Sequence, residues 1–223
     1  MDWTPAGLAV AAEGLRPLLD GGGIPLDLAS LTALAAGLGW ASGLRLYALV
    51  FVLGALGRFA GVSLPGGLAV LSHPLVLGLS GLLLLVEFGA DKLPWLDSVW
   101  DAVHTFIRIP AGAALAAAVM GDQGGAAQVA LGLLGGTLAA GTHFAKAGTR
   151  AALNTSPEPV SNVAASVGED ALFAGGLWTL LHHPLVFLAA LALFAVVAGL
   201  VLRALWGVMK KVLRPRMRPA APR

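Results

Sequence analysis

The chain has 223 residues, of which 57% are hydrophobic and only 12% charged, with a formal net charge of +2 and a mean hydropathy of +0.83. Soluble domains carry roughly a quarter of their residues as Asp, Glu, Lys and Arg, so this composition excludes a water-soluble globular protein and leaves the lipid bilayer as the first partner. The absence of cysteine excludes disulfides, thiolate nucleophiles and cysteine metal sites.

The apolar runs are continuous and do not alternate in polarity, so they read as helices long enough for about 30 Å of hydrocarbon and not as barrel strands. Thirty glycines suit helices that pack closely where no hydrophobic force drives them together. The expected fold is all-α: a polytopic membrane bundle of about six transmembrane helices over 28–208, after an interfacial segment at 1–27 and before a basic cytoplasmic tail at 209–223. That tail, "KKVLRPRMRPAAPR", fits an anchor beside anionic lipid. No nucleic-acid partner is expected. The opening "MDWTPAGLAVAAEGLRPLLD" lacks the basic start of a signal peptide and reads as an amphipathic helix lying on the membrane.

The first spanning helix is expected from Leu31 to Leu56 and carries Arg45 near its middle. A guanidinium there is too deep to reach water, so it needs an acidic partner inside the bundle. The second helix is placed from Pro74 to Phe88. In "GADKLPWLDSVWDAVHTFIR" the Leu93-Pro94 step interrupts the chain, and Ser98 to Asp101 fits a capping box that restarts a third helix ending near Gly121. Asp97, Asp101, His104 and Arg108, spaced 0, 4, 7 and 11, fall on one face of it. That face suits either an interfacial helix with its wet side out or a polar stripe facing a cavity.

The fourth helix runs from Ala126 to Arg150 and places His143, Lys146 and Arg150 on one face, with Gly141 and Thr142 admitting a close neighbour. Lys146 and Arg150 suit snorkelling to lipid phosphates, and His143 lies deeper. Two prolines in "NTSPEPVSN" break the chain before a fifth helix, Ser161 to Leu181, so breaks are expected near 93–97 and 153–160. Asn162, Ser166 and Glu169 share a face of the fifth helix, and Glu169 and Asp170 lie too far from its end to sit at the surface of a full span. Arg45 is therefore expected to pair with Glu169 or Asp170, with Asn162, Ser166 and His143 around the pair. The sixth helix is Pro184 to Trp206.

Six crossings put both termini on one side, and the placement of Lys92, Lys146, Arg150 and the tail makes that side the cytoplasm. "LSHPLV" at Leu71 and "LHHPLV" at Leu181 echo each other, each with Pro at the first helical position beside His73 or His183. A repeated hairpin, an inverted three-plus-three repeat and chance all remain open.

In "EFGADKLPWLDSVWDAVHTFIRIPAGA" and "THFAKAGTRAALNTSPEPVSNVAASVGEDALF" the chain resembles a family of small bacterial membrane proteins catalogued as domain of unknown function 4126. The likeness extends from about Gly37 to Trp206. Its pattern matches Glu87, Asp91, Lys92, Pro94, Asp97, Asp101 and Arg108, then His143, Lys146, Arg150, Asn154, Ser156, Pro159, Ser166, Glu169 and Asp170. The resemblance implies a multi-pass protein of a bacterial inner membrane and no particular activity.

The leading functional expectation is a small transporter or channel whose paired charges line a pathway for a proton, ion or small polar solute. His104, His143, Glu169 and Asp170 are its proton-relay candidates. The alternatives are an enzyme acting on a lipid or isoprenoid phosphate, with Asp91, Asp97 and Asp101 on Mg²⁺ and Lys146 and Arg150 on phosphate, and a structural subunit of a membrane complex. No cofactor is legible, and a homo-oligomer is compatible with the sequence.

Overall fold

The computed structural model describes residues 27–121, 125–155 and 159–213. The interfacial segment expected at 1–27, apart from Asp27, the family-pattern Ser156 and the tail beyond Leu213 lie outside the described residues. Within them the chain forms six α-helices and one 3₁₀ turn: α1 Leu28–Phe59, the turn Gly66–Ser72, α2 Pro74–Ala90, α3 Pro94–Ala118, α4 Gly125–Leu153, α5 Pro159–His182 and α6 Pro184–Leu213. Asp27 caps α1, its carboxylate accepting from Ser30 N at 2.6 Å, and that bond lowers its pKa from the ordinary aspartate value.

The first helix departs most from the sequence reading. Arg45 leaves the helical region, at φ −145° and ψ 71°, and divides α1 into two arms. The packing shows where each arm goes. Before the break, Gly39 lies on Gly135 of α4, which in turn lies on Gly112 and Ala116 of α3. After the break, Phe51 meets Gly81 and Gly54 meets Leu71 and Leu77, while the 3₁₀ turn rests through Gly66 on Ala118 and Gly121. Both arms thus run along the C-terminal half of α3, and Leu34 and Leu53 belong to one core cluster. The helix folds back at Arg45. A straight crossing from Leu31 to Leu56 was expected because the apolar run is continuous there, with only the Ser42-Gly43 pair as a weak point before the break. Its causes are a charged side chain drawn sideways and the Lys146 ammonium inserted at the Leu44 carbonyl.

Both ends of α1 therefore lie at one end of the bundle, here the upper end, with the starts of α2, α4 and α6 and the ends of α3 and α5. The described chain enters at the upper end and leaves, with the last turn of α6, at the lower. Pro74 and Pro184 open their helices at the same end, as the sequence echo suggests. Pro94 likewise opens α3 directly, so Ser98 lies inside a continuous helix and the capping box is unused; Asp101 turns to Arg108 instead.

α1 occupies the centre, buried on nearly every side, and α6 is peripheral, with 17% of its apolar window covered against 83% for α1. In both lengths the chain is long and apolar enough to cross a membrane, and the 3₁₀ turn with α2, bent by 72°, makes a third such length. The three remaining helices carry Asp97, Asp101, Arg108, Lys146, Arg150, Glu169 and Asp170. Gly66, at φ +57°, fixes the turn against α3: a side chain there would run into the backbone of Ala118 to Gly121.

Candidate functional site

A helix in lipid meets the reverse of the usual solvent problem, since its polar face must be covered and its apolar face can be bare. α3 does this. Asp97, Asp101, His104 and Arg108 are all buried, while Val99, Val103, Phe106 and Ile107 are exposed on the other side. The stripe turns inward, so the reading of an interfacial helix with its wet side out is corrected. α4 does the same. His143, Lys146 and Arg150 are each 5% exposed or less, which overturns the expectation that Lys146 and Arg150 snorkel to lipid phosphates. Lys146 and Arg150 are met instead by carboxylates of α2, its Asp91 cap, α3 and α5.

These faces converge around the tip of α1. Arg45 forms an ion pair with Asp91, lies 3.0 Å from Asp170 and 3.6 Å from Glu169, and donates to Ser166 Oγ at 3.0 Å. The expected acids are there, and Asp91 at the end of α2 joins them. Arg150 holds Glu169 with two parallel bonds, Nε to Oε1 at 2.8 Å and Nη2 to Oε2 at 3.0 Å, the geometry for which a guanidinium is suited. Its Nη1 donates to the carbonyl of Asn162 at 3.1 Å. Below it, Asn162 donates to Asn154 at 2.7 Å, and Asn154 to Asp97 at 3.1 Å. Arg108 bonds Glu87 at 2.5 Å and Asp101 at 3.2 Å.

Lys146 sits at the centre. Its Nζ lies 3.3 Å from Glu169, 3.8 Å from Asp91 and 4.0 Å from each of Glu87 and Asp101, and donates to the Leu44 carbonyl at 3.4 Å. That carbonyl belongs to the residue beside the α1 break, so the same ammonium serves the lattice and the broken backbone. Four cations, Arg45, Arg108, Lys146 and Arg150, thus face six carboxylates, Glu87, Asp91, Asp97, Asp101, Glu169 and Asp170. Among them Glu87 Oε2, Asp91 Oδ1, Asp97 Oδ1 and Asp101 Oδ2 are buried with no hydrogen-bond partner. Two donors of the same lattice, Arg45 Nε and Arg108 Nε, are likewise buried without a hydrogen-bond partner.

Sequence reasoning missed several contacts here. His143 joins Thr105 Oγ1 at 2.7 Å and Arg108 at 3.5 Å, one layer away from Arg45, so its expected place around that guanidinium is corrected. Tyr47 bonds His104 at 2.9 Å, and His104 stacks on Trp100 with ring centroids 3.9 Å apart. Ser42 donates to the Arg108 carbonyl at 2.8 Å. Tyr47 is the chain's one tyrosine and stands two residues after Arg45, a signal that was available.

Above the lattice the same helices meet through small residues: Gly39 and Gly43 of α1, Gly112 and Ala116 of α3, Gly135 and Ala139 of α4. Each pair is spaced by four residues, the pattern that lets backbones touch in lipid. Gly141 points to open space, so the close neighbour expected at that residue is found instead at Thr142, beside Gly43.

Among the described residues no group of three His, Asp or Glu side chains could hold a metal ion, and Asp91, Asp97 and Asp101 bond Arg45, Asn154 and Arg108. Lys146 and Arg150, the expected phosphate ligands, bond carboxylates.

The fold and the buried charges together define an all-helical membrane protein whose polar residues gather around a fold-back helix. By sequence the chain belongs to the family described as domain of unknown function (DUF4126), whose profile matches residues 32–204. No curated protein and no solved structure matches the chain.

Proposed function

We propose that the protein is a small integral membrane transporter or channel that moves a proton or small cation. The carrying observation is the tip of α1: a helix broken at Arg45 deep in the protein, its freed carbonyl and its guanidinium both held by groups on helices that it does not adjoin in sequence. Broken helices of this kind place backbone carbonyls and charges where an ion can use them. Six carboxylates against four cations favour positive charge and disfavour anions. The least buried members, Asp170 and Glu169, with 45% and 14% of their side chains exposed, give the lattice an entrance, and His143 and Tyr47-His104 extend it inward.

In this reading α2 to α6 cross the membrane, α1 is re-entrant, and the lower end, with Lys92 and Lys210, faces the cytoplasm of a bacterial inner membrane. Asp27 and Lys210 then lie on opposite sides. A phosphate-handling enzyme is less well supported, because the cations that it requires are already paired.

Purified protein in liposomes carrying an imposed pH, sodium or potassium gradient is expected to dissipate one of them faster than protein-free vesicles, and Glu169→Gln is expected to slow that flux at least tenfold. Vesicles that hold all three gradients as tightly as protein-free controls would reject the proposal.

A further inference from the structure

One cavity reaches the lattice from the side. It has a volume of about 200 Å³ and lies between α4, α5 and α6, with Lys146 and Glu169 at its inner wall beside Leu44 of the α1 tip. Its outer walls are apolar, among them Leu172, Phe194 and Val197. A bare inorganic ion has no use for such walls.

The inner wall has an equally particular chemistry. Four carboxylates surround one ammonium nitrogen at 3.3 to 4.0 Å. At those separations the acids hold the ammonium by charge more than by direct hydrogen bonds, and they stand far beyond the 2.0 to 2.6 Å of magnesium or calcium ligation. The absence of any metal-grade ligand group among the described residues follows from the same spacing. Glu169, with 14% of its side chain exposed against 1% for Lys146, is the charge that the cavity sees first. Thr142 and Thr149, also in the lining, add hydroxyl groups close to the head position.

We propose that this cavity binds a small primary alkylammonium, its NH₃⁺ on Glu169 beside or in place of the Lys146 ammonium, and its alkyl stem between Leu172 of α5 and Phe194 and Val197 of α6. The inference adds an organic ammonium ion to the proton and small cations of the transport reading and rests on that reading. At roughly 30 Å³ for each atom of water size, the cavity takes about seven non-hydrogen atoms, which is the size of n-hexylammonium. A carboxylate of the same length would meet Glu169 as a like charge. An alcohol would lose the charge-assisted bond, which is roughly twice as strong as a neutral one.

The test is the thermal midpoint of the purified full chain in detergent, titrated with n-hexylammonium, n-hexanol and n-hexanoate. Hexylammonium is expected to raise the midpoint saturably, with a half-maximal concentration at least tenfold below that of hexanol, and hexanoate to give no saturable shift. Val197→Trp, at a half-exposed position in the cavity wall, should keep the fold and lose the hexylammonium response, and Glu169→Gln should weaken it at least tenfold. A wild-type protein that responds equally to hexylammonium and hexanol, or a Val197→Trp variant that keeps the response, overturns the proposal. Ion flux without hexylammonium binding would remove this inference alone, and binding without any flux would remove the transport reading while leaving the site.

Discussion

The two halves of α1, α3 and α4 solve one problem in opposite ways. Toward the lower end the three helices present Arg45, then Asp97 to Arg108, then His143 to Arg150, and they are joined by charge-assisted bonds. Toward the upper end they present Gly39 and Gly43, Gly112 and Ala116, Gly135 and Ala139, and are joined by backbone contact. Helices in lipid gain little from apolar contact alone, so association falls to close packing and to polar bonds, and this protein uses each in its own half. The packed half closes the space between the helices. The charged half keeps polar groups away from lipid, and it is there that α1 breaks.

The comparison breaks most severely at Arg45. Arg45→Leu leaves Asp91 buried without its partner and is expected to cost about 3 to 5 kcal/mol, read as a lower thermal midpoint and poor yield in detergent. The double variant Arg45→Leu, Asp91→Leu should recover most of that loss, because paired removal leaves no orphan charge. A single variant as stable as wild type would mean that the lattice does not organise the lower half.

In the upper half the matching change is Gly39→Ala. The added carbon would run into the Gly135 backbone, which cannot swing aside as a side chain can. The expected loss is about 1 to 3 kcal/mol, measured in the same unfolding assay. The smallest effect is expected at Gly141→Ala, where nothing stands within 4 Å. Reduced backbone freedom there should stabilise by roughly 0.5 to 1 kcal/mol. If Gly39→Ala and Gly141→Ala behave alike, the seam is not packed by contact.

Much of the lower half was legible in the residues. Charges on α3, α4 and α5 fall at helical spacing, and isolation in lipid is costly enough that their convergence follows from elementary energetics. Arg45 could be given an acid on the fifth helix for that reason. Asp91 was harder, because it follows the last turn of α2, where a charged residue ordinarily marks a helix end facing water. Lys146 and Arg150 were misjudged by the same logic, since sequence distance from a helix end does not reveal whether carboxylates are nearer than phosphates. The break in α1 left only a faint local mark, the Ser42-Gly43 pair just before it, and what draws Arg45 out of the helix lies on α2, α4 and α5. Periodicity within a single helix carries no information about such a contact.

The fold-back of α1 at the lattice is open to direct measurement, because the natural chain has no cysteine and single cysteines can be placed cleanly. Asp27→Cys, Ser63→Cys and Lys210→Cys lie at exposed positions before α1, after α1 and near the end of α6. With a membrane-impermeant maleimide on sealed, uniformly oriented vesicles, the first two should label from one side and the third only from the other. Labelling of Asp27→Cys and Ser63→Cys from opposite sides would make α1 a straight span, and the tip at Arg45 would then not exist.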